Sequence, residues 1–376
     1  MTVVGFVCAD IAGKLMNSHR LAIQPIFDLM QAHGYGCHWA NWAEPWGQIP
    51  GINKDQVACW VTSEPGMTSN DFIKRTFFHP HGLHPTEGAY VTARAPYGDY
   101  TPWLGYLGTG EYWLTNIDEA SRASGSFPIT GWAKLDTYFK PGIKEETIRK
   151  LNLGLPHAKT VLYAPCGNWH WAASFEKSVM HIIHLFEGLP YNLLIKVGEY
   201  AESFTQYVAM RNRLNNGPPN MRLISYQEDV TPLYSLADVV VTDGSSVAWE
   251  VIGLDKPVIQ LTNMLDPLSA LCPGFMIKGD VRASSYNIAH CKQIRLMAEK
   301  NPEGKGTLLT DDPECHVCAG TIKSTLEGLG NILAKTIEKP DEFASERRMW
   351  AASVNALADG HSAERCVAAI KRLAKI

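Results

Sequence analysis

The chain has 376 residues, with Lys+Arg 34 against Asp+Glu 38 and a net charge of -4. A hydrophobic share of 45% with 10% aromatics excludes a disordered chain and supplies a large core, while roughly 100–200 residues per domain calls for two domains. The mild acidity removes a global electrostatic case for nucleic acid or an anionic membrane. No apolar run approaches the ~20 residues that span a bilayer. The N-terminus meets Asp10 directly after its apolar stretch and has no basic leader, so it reads as a first strand and not a signal peptide. Nine cysteines scattered over the chain do not form a small disulfide framework and point to reducing cytosol.

In chain order, Val3–Ala9 is a continuous apolar run of the kind that fills a parallel sheet buried on both faces. A polar loop with Asn17, Ser18 and His19 leads to helical spacing at Leu21, Ile23, Ile26, Leu29 and Met30, which Gly34 ends. Val57–Thr62 and Thr76–Phe78 read as further strands. Lys140-Pro141-Gly142 breaks the chain, and the charged helix that follows is expected to close at Gly154 and Pro156.

The expected organisation is therefore an N-terminal domain over 1–140, a linker over 141–158 and a second α/β domain over 159–340. The second domain alternates strands at Val161–Ala164, Asn192–Val197, Arg222–Ser225, Val239–Thr242 and Val258–Leu261 with helices at 174–188, 232–236 and 247–253. The closing segment, 341–376, is expected to be helical.

Two segments carry chemistry. Strand Val239–Thr242 ends in Asp243-Gly244-Ser245-Ser246, where a helix starts. Unpaired amides at a helix start bind anions, and open α/β sheets bind ligands beyond the carboxyl ends of their strands. The same residues serve equally as plain helix caps. The second segment is Phe77-Phe78-His79-Pro80-His81-Gly82-Leu83-His84-Pro85, a loop after a short strand. Three imidazoles there could supply a general base, since histidine titrates near neutral pH. A metal is not expected, because no carboxylate or cysteine stands at ligand spacing.

The run Val240-Val241-Thr242-Asp243-Gly244-Ser245-Ser246-Val247, with Leu254-Asp255-Lys256-Pro257-Val258-Ile259 after it, resembles the CDP-glycerol glycerophosphotransferase family. So do His81-Gly82, Thr130-Gly131-Trp132-Ala133-Lys134-Leu135-Asp136, the stretch Asp229–Leu236 and Asp359-Gly360-His361-Ser362-Ala363-Glu364-Arg365.

The resemblance implies a GT-B architecture, in which two Rossmann-like domains with parallel sheets face across a cleft and a C-terminal helix crosses back to the first domain. It implies an acceptor side in the first domain and a nucleotide-diphosphate donor bound mostly by the second. Ser245 and Ser246 would hold the diphosphate, His81 would deprotonate an acceptor hydroxyl, and Lys196 would neutralise phosphate. Glu250 stands about where such enzymes meet a donor ribose, although a solvated helix face is its plainer reading. His79, His84, Asn168, Lys134 and Asp243 are further candidates for the cleft.

Two departures stand out. The family's usual His-Pro pair after strand 192–196 is replaced by Val197-Gly198-Glu199, and its usual tyrosine after the aspartate by Gly244. Cys315-His316-Val317-Cys318, with Cys291 upstream, is one Cys-x-x-Cys pair where a zinc site normally needs two. The aromatics at 90–113 fill a core or stack on an acceptor.

The function expected is a cytoplasmic, metal-independent transferase. It would move a glycosyl or glycerophosphoryl group from a nucleotide-activated donor to a hydroxyl on a polyol, glycan or similar acceptor, with no cofactor beyond the donor. A nucleotide-sugar 2-epimerase, a glycosyltransferase acting on a modified nucleic-acid base and a non-catalytic nucleotide-binding relative are the alternatives.

Overall fold

The structure, a computed structural model, describes residues 1–8, 10–11, 14–15, 17–41, 51–63, 74–83, 104–111, 126–153, 155, 157–165, 174–198, 205–243, 245–261, 322–324 and 326–376. Its elements begin with β1 (Val3–Cys8), β2 (Asp10–Ile11), β3 (Lys14–Leu15), α1 (Asn17–Ala32), β4 (Gly36–Asn41), β5 (Val57–Thr62), β6 (Thr76–Phe78), β7 (Gly105–Tyr106) and a 3₁₀ segment, Ala133–Phe139. They continue with α2 (Ile143–Leu151), β8 (Thr160–Tyr163), α3 (Phe175–Glu187), β9 (Asn192–Lys196), α4 (Thr205–Asn215), β10 (Met221–Ile224), α5 (Thr231–Tyr234) and β11 (Val239–Thr242). The last are α6 (Val247–Ile252), β12 (Val258–Leu261), β13 (Ile322–Ser324), α7 (Leu329–Glu338), α8 (Ala344–Val354) and α9 (Ser362–Ala374). No helix among the described residues is long and apolar enough to cross a membrane.

The chain divides into two units, Met1–Lys140 with Ala352–Ile376, and Pro141–Ala351. In the first, a parallel sheet runs β4-β1-β5-β6-β7. The chain leaves β1 toward one edge and returns at β5 to fill the other, so the order reverses between β1 and β5. Both faces of this sheet are covered, which is why β1 reads as an unbroken apolar run.

One face packs Val4, Phe6, Cys59, Val61 and Phe77 against Ile23, Ile26 and Met30 of α1 and Ala363, Cys366, Val367 and Ile370 of α9. The expected return of the last helix to the first domain is thus realised as part of that domain's core. Burial lifts the thiols of Cys59 and Cys366 to about 12, so these cysteines behave as small apolar groups.

In the second unit a parallel sheet runs β10-β9-β8-β11-β12-β13. This is the doubly wound order, with its reversal between β8 and β11. Its core joins Val161, Tyr163, Leu193, Ile195, Val239 and Val241 to Val179, Ile182, Ile183 and Phe186 of α3.

The observed strands β5, β6, β11 and β12 match the residues expected of them. Three features differ. The helix α1 starts at Asn17 and runs through Pro25, because burying Ala22, Ile23, Ile26 and Met30 outweighs one missing backbone donor. The helix α2 stops before Gly154: Asn152 takes the left-handed conformation, φ 46°, and caps it. The strands β4, β7 and β13 and the helix α4 carry no sequence signal that had been read.

Candidate functional site

In the first unit, three distant segments meet beyond the carboxyl ends of the strands. The chain leaves β6 with the His79 amide still bonded to the Thr62 carbonyl, at 2.9 Å. The His79 ring is fully buried and both of its nitrogens are assigned. Nδ1–H donates to the Leu107 carbonyl at 3.0 Å, and Nε2 accepts from the Ala133 amide at 3.2 Å. Burial pulls this imidazole down to about 4, so it is neutral and structural.

One residue on, Trp132 Nε1 donates to the Pro80 carbonyl at 2.8 Å, so the 130–136 segment grips the histidine loop twice. That segment is gripped in turn. Arg365 donates to the Thr130 carbonyl at 2.8 Å and forms a forked pair with Asp359 at 2.9 and 2.8 Å. The Asp136 carboxylate accepts from the Ser362 and Ala363 amides, 3.0 and 2.7 Å, at the start of α9. Gly131 sits at φ 80°, where an added Cβ would lie 2.8 Å from the Leu357 carbonyl. Three of the motifs that carried the family resemblance are therefore one bonded assembly.

The assembly presents His81. The residue is half-buried, with Nδ1 out of solvent, and its ring stacks on the ring of His19, with centroids 3.8 Å apart and planes at 27°. His19 was read only as part of a polar loop. It lies in the first turn of α1, with Nδ1 3.2 Å from the Ser63 carbonyl, while the Ser63 hydroxyl donates to the His19 carbonyl at 2.8 Å. The stacking partner is 62 positions away in the chain (81 minus 19), and no local pattern announces it. Lys134, expected in the cleft, is buried with its ammonium over the Trp132 ring at 4.9 Å.

In the second unit the strand β11 delivers Asp243, Ser245 and Ser246 beside the reversal in strand order. Asp243 is fully buried and committed to structure, since its carboxylate accepts from the Ser174 amide at 2.7 Å, just before α3. Ser245 Oγ accepts weakly from the Val247 amide at 3.3 Å. The helix α6 has only six residues, so its dipole is short.

Ser246 Oγ donates to Glu250 Oε1 at 3.2 Å, and the buried Tyr234 hydroxyl donates to Glu250 Oε2 at 2.6 Å. Glu250 is 2% exposed, which corrects the reading of a solvated helix face. Tyr234 belongs to the Asp229–Leu236 stretch, so the resemblance there reflects a buried bond to the helix after the serines.

Where a His-Pro pair was looked for, Lys196 instead donates to the Val197 and Tyr226 carbonyls, at 3.2 and 3.0 Å. In the Leu254–Ile259 run, Asp255 has φ 54° and pairs with Arg347 and Arg348, each at 3.1 Å. His84, Asn168, Gly244, Glu199, Cys291, Cys315 and Cys318, and all of the 90–113 aromatics except Tyr106, lie outside the described residues. Tyr106 is buried and stacks on Phe78, with centroids 5.3 Å apart.

Residues 123–278 match the family model for CDP-glycerol:poly(glycerophosphate) glycerophosphotransferase. Among solved structures, the wall teichoic acid polymerase TagF is similar at 14% identity and a TM-score of 0.61, over 100% of this chain and 89% of that one. A UDP-GlcNAc 2-epimerase from Neisseria meningitidis is similar at 12% identity and a TM-score of 0.53, over 99% and 100%. A second epimerase structure, described as putative UDP-N-acetylglucosamine 2-epimerase from Listeria monocytogenes, is similar at 11% and 0.52, over 98% and 95%. At such identities the likeness is one of fold, the GT-B fold. No curated protein sequence matches the chain.

Proposed function

We propose that the chain is a transferase of the CDP-glycerol glycerophosphotransferase kind, whose family model its residues 123–278 match, and that the group it moves is glycerophosphoryl, carried by a nucleoside diphosphate. The observation that carries this reading is the matched segment 123–278, which contains the Ser245-Ser246 site beside the reversal of the second sheet. TagF, whose fold this chain shares, has been soaked with CDPG.

In the reaction we propose, His81 takes the proton of an acceptor hydroxyl on a polyol or glycan. The acceptor oxygen then attacks the phosphorus that bears the glycerol, and the bond to the nucleoside monophosphate breaks, its electron pair leaving with that phosphate. Ser245 and Ser246 donate to the diphosphate, and Lys196 adds positive charge nearby; these groups take the place of a metal in this reading. His79 has no part in proton transfer, because both its nitrogens are bonded within the protein.

A thermal-shift screen against CDP-, UDP- and GDP-linked donors tests the donor, since a ligand that binds only the folded state raises Tm. CDP-glycerol is expected to give the largest shift. His81→Ala should keep that shift and lower transfer by about 10²–10⁴-fold. Isomerisation of a UDP-sugar with no acceptor present would instead identify an epimerase.

A further inference from the structure

We propose that His19 is a positioning residue for His81: the His19 ring, clamped by Ser63, holds the His81 imidazole in place and offers it an aromatic face. The inference rests on reading His81 as the base. It begins from placement. The strand order of the first sheet reverses between β1 and β5, and the crevice beyond the carboxyl ends of strands at such a reversal is where open sheets bind ligands. Ser63 directly follows β5, and His19 lies in the first turn of α1. The stacked pair therefore stands at the binding crevice of the first unit as its fold defines it.

The chemistry follows from the bonds. The Ser63 carbonyl can only accept, so His19 Nδ1 carries a proton. The Ser63 hydroxyl gives its hydrogen to the His19 carbonyl, which ties side chain and backbone of the first helical turn to the end of β5. Burial and the neighbouring His81 both depress His19 well below the ordinary histidine range, so it is neutral at neutral pH.

Two stacked rings this close do not both hold an extra proton. Burial disfavours the charged form of His19, so a proton taken up by the pair goes to His81, and a cation over an aromatic face is stabilised. Among the described residues, several charged groups on the surrounding elements have partners of their own. Arg20 of α1 donates to Gln24 and lies over Trp39 at 4.9 Å. Lys134 lies over Trp132, Asp136 binds the start of α9, and His79 is neutral.

The test is an NMR titration of the His81 ring in the full chain, assigned by its loss in His81→Ala, alongside the pH profile of kcat/KM. Substituting His19→Leu removes the aromatic face and should lower the His81 midpoint by about one unit. The acidic limb of kcat/KM should move by the same amount. His19→Phe restores a ring and should return both toward wild type. Where His19→Leu does not fold, His19→Met replaces it.

An unchanged or raised His81 midpoint in a folded variant overturns the proposal. A lowered midpoint with an unmoved rate profile upholds the pairing but overturns His81 as the base. The two failures are thereby distinguishable.

Discussion

The two units are built on the same plan, a parallel sheet with a reversal and candidate site residues at its carboxyl edge, yet they hold those residues in opposite ways. In the second unit, Ser245, Ser246 and Glu250 come from consecutive turns of one strand-to-helix passage, tied to the rest by Tyr234 and by the Asp243–Ser174 bond. In the first, the loop bearing His81 is held by the 130–136 segment, which is held by residues 359–365 near the other end of the chain. The first site should therefore fail by long-range loosening, and the second by local change.

Acid should expose this contrast most strongly. His79 is buried neutral at about 4 against an unfolded value of 6.5, so below 6.5 the unfolded state takes up the proton first. Stability is then lost as pH falls from 6.5 toward 4, by about 3 kcal/mol at the lower end, and is unaffected above 6.5. His19 acts in the same direction. The described histidines of the second unit, His157, His181 and His184, are exposed. Hydrogen exchange at pH 7 and pH 5, read peptide by peptide, should show the first unit opening while the second stays protected. Equal loosening of both units would remove the contrast.

Asp136→Ala should act next, by about 2 kcal/mol, since it strips two buried amides at the start of α9 of their acceptor. Exchange should rise together in α9, in the 130–139 segment and in the histidine loop, with β11 and α6 unmoved. Protection lost only in α9 would mean that the three segments do not act as one assembly.

The same contrast explains what could be read from the sequence. The strands β11 and β12 and the serine motif between them are consecutive and apolar-patterned, so β11 and β12 were placed to the residue. The helix α4 was missed because it buries only Met210 and presents polar residues on nearly every side. The burial of Glu250 is not legible in its helix, because its partner, Tyr234, is sixteen positions back and on a different element. The His79-His81 loop was legible as chemistry, but which imidazole is structural and which is presented depends on Leu107, Ala133 and His19. Those contacts are set by tertiary packing, and sequence spacing carries no record of them.

Glu250→Gln is expected to have the smallest effect and to sharpen the second half of the comparison. The Ser246 hydroxyl donates a hydrogen bond to Glu250, so it must turn away from the carboxylate before it can donate to a phosphate oxygen. The amide keeps the Tyr234 bond through its Oε1, while its Nε2 donates to Ser246 Oγ and releases the serine proton. It also removes a negative charge from the vicinity of a bound diphosphate. Pyrophosphate and nucleoside diphosphates should bind about three- to tenfold more tightly to Glu250→Gln, measured by calorimetry, with Tm changed little. If Glu250 instead grips the donor ribose, pyrophosphate binding will stay as in the wild type while nucleoside diphosphates weaken. A purely local mechanism further requires that the His81 titration be the same in Glu250→Gln as in the wild type.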